Sequence, residues 1–185
     1  TGHVPAELLR LRVFTGKGRM SMLPQGCLSE DGYIINQGML REIPFGNYPS
    51  SKNGCGWIAV YNLMKALGNE KPYEEIMEAL TPYTLFKGLL GTRMPGIKKY
   101  IRSQGYAMDT SFFKSSFEPL ALGSQAGIIY YGTGKTYHFT AYQPTEEKTF
   151  RFFNSVYGRQ NDILTMEQFI KRIKTPLTHI VAVRA

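Results

Sequence analysis

The chain has 185 residues, 43% of them hydrophobic, and carries 22 Lys and Arg against 14 Asp and Glu, a formal charge of +8. That length and apolar fraction suffice for one sizeable core, so a single domain over 1–185 is expected and long disorder is excluded. No run approaches the roughly 18 apolar residues of a membrane helix, and two cysteines, Cys27 and Cys55, are too few for a disulfide-stapled scaffold.

The positive charge favours encounter with anionic partners, but Lys and Arg are scattered. The densest cluster, Lys171, Arg172 and Lys174, falls on what reads as the polar face of a helix. No recognised nucleic-acid motif accompanies the charge, and a nucleic-acid partner is not expected. The chain reads as soluble; its start at Thr1 rather than Met leaves the compartment open.

Residues 1–45 form a loop-rich opening segment, with turn signals at Leu23-Pro24-Gln25-Gly26 and Glu30-Asp31-Gly32 and a short strand at 33–35. A further turn signal, Phe45-Gly46-Asn47-Tyr48-Pro49, leads into a helical part over 46–105. There Trp57, Ile58, Tyr61, Leu63, Met64 and Leu67 lie in a stretch free of Pro and Gly until Gly68, which predicts a buried helix with a glycine stop. A second helix opens at Pro72 and a third after Pro95. Residues 106–185 then read as mainly antiparallel sheet. Aromatic and β-branched runs at 127–131, 137–142, 149–153 and 179–183 are separated by turn residues, with an amphipathic helix over 166–173. Helices first and sheet second is an α+β arrangement.

Candidate chemistry begins at Cys55. A Gly-rich loop entering a buried helix puts a thiol at a helix N-terminus, where the dipole and unpaired N–H groups favour a thiolate. Gly54 and Gly56 carry no side chains to block a substrate carbonyl, and the Cys55 backbone N–H points at a developing oxyanion. Three histidines exist to serve as base. His3 falls in a frayed terminus, and His179 opens the last strand as an edge or surface residue. His138 lies in a strand between apolar and aromatic neighbours that would hold an imidazole rigidly. Asn154 ends the next strand, where its side chain would fix the tautomer of that ring.

The run Asn53-Gly54-Cys55-Gly56-Trp57-Ile58-Ala59, then Tyr137-His138-Phe139-Thr140-Ala141-Tyr142 and Phe152-Phe153-Asn154-Ser155, resembles the papain-like cysteine peptidase superfamily, closest to bacterial C39-like peptidases. The resemblance spans about residues 45 to 183 in order of elements and rests on three short motifs. It implies an N-terminal helical part carrying the Cys helix, packed on a C-terminal antiparallel sheet. It also implies thiol attack on a peptide or isopeptide bond through an acyl-enzyme, with Cys55, His138 and Asn154 as triad and a thiolate–imidazolium ion pair. Papain-like enzymes usually complete the oxyanion hole with a Gln shortly before the cysteine; Pro49 stands there, leaving Asn47 as the favoured substitute and Asn53 as oxyanion donor or helix cap. Gly54, Gly56, Trp57 and Tyr137 would line the substrate groove, with loops from 20–50 and 82–95. Partners implied are a peptide or protein substrate, with no cofactor and no metal.

Acyl transfer to an amine, as in transglutaminase-like relatives, uses the same triad, and a non-catalytic peptide- or partner-binding module keeps the frame without turnover. Gly132-Thr133-Gly134-Lys135-Thr136 lacks the upstream glycine of a phosphate loop and reads as a hairpin turn. His and Cys residues lack metal-ligand spacing. Cys27 reads as a bystander thiol, with a regulatory disulfide to Cys55 as the alternative.

Overall fold

Two helices meet at Gly54: α1 (Ser50–Asn53) and α2 (Cys55–Ala66). The computed structural model describes residues 23–156 and 161–184. Every residue of α2 from Gly56 to Met64 is buried, as expected of a helix hydrophobic on all sides. Past its end the chain turns at Gly68, whose φ of 69° suits a residue without Cβ. The helix packs against α3 (Tyr73–Leu80) and α4 (Met94–Ser103), both beginning beside prolines as the sequence predicts. Ahead of α1, β1 (Pro44–Phe45) and β2 (Tyr48–Pro49) form a small hairpin where a turn is predicted.

The remainder builds a sheet from β3 (Met108–Ser111), β4 (Ala126–Gly132), β5 (Tyr137–Pro144), β6 (Thr149–Phe153), β7 (Asn161–Thr165) and β8 (His179–Val183). Their order is β3-β8-β4-β5-β6-β7, and each neighbouring pair is antiparallel. The architecture is the expected α+β one.

Because side chains alternate across a strand, the sheet buries two faces. Ile128, Phe139, Ala141, Phe153, Val181 and Val183 meet α2, α3 and α4 on one side. Ile129, Tyr131, Tyr142, Phe150, Phe152 and Ile180 meet α5 (Phe117–Leu122) and α6 (Met166–Lys171) on the other. Each fully buried aromatic or aliphatic side chain contributes about 1.5–3 kcal/mol. The α6 start carries a capping box, with Thr165 accepting from the Gln168 backbone and the Gln168 side chain accepting from Thr165 N.

Several expectations are corrected. The predicted strand at 33–35 reduces to one bridge between Leu28 and Ile34, because the Asn62 side chain on α2 takes both backbone groups of Ile34, at 2.8 Å each. β3, β7 and α5 went unpredicted: the strands are short and polar, and α5 contains Pro119. His179 is not at an edge, since β8 lies between β3 and β4; the residue is 4% exposed and its ring lies tilted against Phe112 at 4.1 Å between centroids. The 132–136 segment is the predicted hairpin turn, closed by Thr133 N–H donating to Thr136 O at 2.8 Å. Among the described residues no helix is long and apolar enough to cross a membrane.

Candidate active site

The junction that presents Cys55 is built by close packing. A Cβ on Gly54 would meet Ser50 O at 2.6 Å and Trp57 Nε1 at 2.8 Å, and one on Gly56 would meet Thr92 Cβ at 2.7 Å. Both glycines therefore serve the helix packing, and the groove role expected for them is corrected: the space they leave is filled by protein. Trp57 is also no groove residue. It is fully buried, donates from Nε1 to Ser50 Oγ at 3.1 Å and lies 5.7 Å from the Tyr73 ring. Tyr137 does line the cleft, half exposed and stacked on Tyr130 at 5.2 Å.

The two asparagines expected at the oxyanion hole lie elsewhere. Asn53 is buried and donates both amide protons, to Phe45 O at 2.7 Å and Gly88 O at 2.8 Å, pinning two loops to the junction. Asn47 sits exposed at the β1–β2 turn, its N–H on Lys87 O, and does not line the cleft. Within the 82–95 segment the exposed side chains Phe86, Leu89 and Leu90 stand outside the cleft lining.

A cleft of about 420 Å³ runs between the α1–α2 mouth and the ends of β5 and β6, lined by Gln37, Ser51, Cys55, Tyr137, His138 and Asn154 among others. Cys55 and His138, distant in sequence, share it. Burial pushes the Cys55 thiol up, and the backbone N–H groups of Phe139, Gly56 and Cys55 itself offset this only in part. His138 is 8% exposed and edge-on to Tyr131 at 5.8 Å, and burial lowers its pKa to about 4. Burial thus works against charge on both groups, and so against the expected ion pair. Among the described residues no hydrogen bond joins the Cys55 sulfur to the ring.

His138 Nε2 lies 2.6 Å from the main-chain carbonyl of Asn154. A carbonyl only accepts, so Nε2 carries the proton and Nδ1 keeps the lone pair. The Asn154 side chain, expected on this ring, instead pairs with Gln37: Oδ1 accepts from Gln37 N–H at 3.1 Å and Nδ2 donates to Gln37 Oε1 at 3.2 Å. Sequence reading missed Gln37, because the family pattern looks for a glutamine close to the cysteine. Folding of the 3-10 turn Gln37–Met39 against α1 brings it there.

Cys27 is fully buried, with burial pushing its thiol up to about 11, and both cysteines are free. Among the described residues no cluster of three His, Cys, Asp or Glu could hold a metal. His3 lies outside the described residues.

The two buried histidines make stability acid-sensitive. His138 and His179 titrate near 4 in the fold against 6.5 unfolded, so the unfolded chain gains protons first. Stability is full above pH 6.5 and falls as pH drops toward 4, with His138 accounting for a loss on the order of 3 kcal/mol. Urea midpoints at pH 7, 5.5 and 4.5 should decline in that order; a flat series would refute the neutral burial of both rings.

No protein-family model matches the sequence, and no curated protein does. Among solved structures the chain is similar to the peptidase domain of Streptococcus ComA, a bi-functional ABC transporter involved in a quorum-sensing pathway. That similarity has a TM-score of 0.52 and 15% identity, over 69% of this chain and 90% of that one. It is also similar to a double-glycine-motif protease from an AMS/PCAT transporter, solved in complex with a leader peptide, at a TM-score of 0.49 and 13% identity over 71% and 84% of the two chains. The first likeness establishes the fold. The fold is the papain-like α+β fold of C39 peptidase domains, as the sequence motifs imply.

Proposed function

We propose that the chain is a cysteine peptidase that hydrolyses a peptide or isopeptide bond of a peptide or protein substrate, with Cys55 as nucleophile, His138 as base and Asn154 orienting the base. The observation that carries this reading is the meeting of Cys55 and His138 in one cleft, on a helix mouth and a strand. His138 Nδ1 takes the thiol proton as sulfur attacks the carbonyl carbon. The oxyanion forms toward the Cys55 backbone N–H. Collapse breaks the C–N bond, the imidazolium hands its proton to the leaving amine, and a thioester remains. Water, deprotonated by His138, cleaves the thioester and restores the thiol.

A second reading, a binding module without turnover, draws support from the burial that disfavours the Cys55 thiolate and the lack, among the described residues, of a hydrogen bond between sulfur and ring. Iodoacetamide near neutral pH, where His138 is free to take the thiol proton, separates the two. A peptidase site should alkylate at Cys55 ahead of the fully buried Cys27, with the Cys55 rate lost in His138→Ala. Slow labelling at both thiols, indifferent to His138, would establish the module. An amine added to a turnover assay distinguishes hydrolysis from acyl transfer by its products.

A further inference from the structure

We infer that residue 154 acts on the base through its main-chain carbonyl, and that Gln37 is the positioning residue that holds this carbonyl in place. The inference rests on His138 as the base only where reactivity is read. The sheet leaves the carbonyl available: pairing of β5 with β6 ends at Ala141 opposite Phe153, and Thr140 Oγ1 donates to Phe153 O at 2.7 Å, so the carbonyl of Asn154 lies beyond the ladder. To face His138 the backbone turns left-handed at Asn154, with φ of 57°. Asn tolerates that conformation better than most residues.

The Asn154 side chain meanwhile serves a different partner. Its amide and the Gln37 side chain and backbone exchange two hydrogen bonds, and Gln37 Nε2 donates onward to Ser51 O at 3.2 Å. Ser51 belongs to α1, the helix that runs into Cys55. One polar chain, Ser51–Gln37–Asn154–His138, therefore ties the cysteine wall of the cleft to the histidine wall. Without the Gln37 pairing the carbonyl would be held less firmly on Nε2–H, and the ring would sample the second neutral tautomer more often. Only the tautomer with a free Nδ1 pair matches the base role assigned above.

The test compares Asn154→Gly, Asn154→Ala and Gln37→Ala with the wild type. The ring tautomer is read from the ¹⁵N shifts of His138 at pH 7, and reactivity from the iodoacetamide rate at Cys55. Wild type should show the proton on Nε2. Glycine keeps the left-handed backbone without steric cost but loses the amide that pairs with Gln37, so Asn154→Gly should populate the second tautomer to the extent that Gln37→Ala does and lose less rate than Asn154→Ala. Alanine resists this backbone by roughly a factor of ten, so Asn154→Ala should lose about that much rate and populate the second tautomer. Gln37→Ala should also populate it. A wild-type proton on Nδ1, equal loss in the Gly and Ala variants, or an unchanged ring in Gln37→Ala would each overturn the inference. If Asn154→Ala fails to fold, the wild-type shifts and the other two variants decide it. Failure of the peptidase reading looks different: the tautomer pattern holds while Cys55 alkylation ignores His138.

Discussion

Replacing His138 with alanine is expected to lower kcat/KM for a cleaved peptide by about 10²–10⁴, the range for removal of a positioned general base. The variant leaves Cys55 with its backbone N–H neighbours but with no group to take the thiol proton, which burial makes harder to remove. The wild-type pH profile carries the same logic. The base must be neutral, and His138 titrates near 4, so kcat/KM should fall as pH drops through about 4 and stay level through neutrality. Because burial also pushes the thiol up, loss of rate on the alkaline side should not begin near neutral pH. A preformed ion pair would behave otherwise, its rate rising as the thiol ionises at acidic pH and falling as the imidazolium deprotonates. A profile of that second kind, or full activity in His138→Ala, would refute the neutral-pair mechanism.

Trp57→Ala should cost about 3–5 kcal/mol of stability, the range for truncating a large buried aromatic. Of a domain's usual 5–15 kcal/mol this is a large share. Trp57 fills the space between α2 and the Tyr73 ring, and its indole N–H holds Ser50 Oγ, which is itself fully buried. Truncation leaves both a cavity and a hydroxyl without its donor. Denaturant unfolding measures the loss. If stability hardly moves while KM for a peptide rises severalfold, the tryptophan belongs to the substrate groove after all, as its place beside Cys55 in the sequence implies.

Local pattern made much of the fold legible. The span of α2 follows from an unbroken apolar stretch with a glycine stop, and β4, β5, β6 and β8 follow from aromatic and β-branched runs between turn residues. These elements announce themselves because their periodicity is a property of neighbours in the chain. β3 and β7 did not, since short polar strands gain their hydrogen bonds from distant partners and carry no alternation of their own.

By itself the sequence determined the α+β order, the cysteine at a helix mouth, the histidine within a strand and the asparagine at the end of the next. Each is a statement about a residue and its immediate neighbours. Tertiary structure alone decided which of these groups share a cleft, and it reassigned several others. Gln37 enters the site through a turn packed on α1, His179 is sealed between strands, Gly56 is small because Thr92 lies against it, and Asn154 offers the ring its backbone while its amide binds Gln37. The physical reason is common to all four. Packing space and hydrogen-bond partners are set by atoms far away in the chain, and a side chain's chemistry does not reveal which partner the fold will hand it.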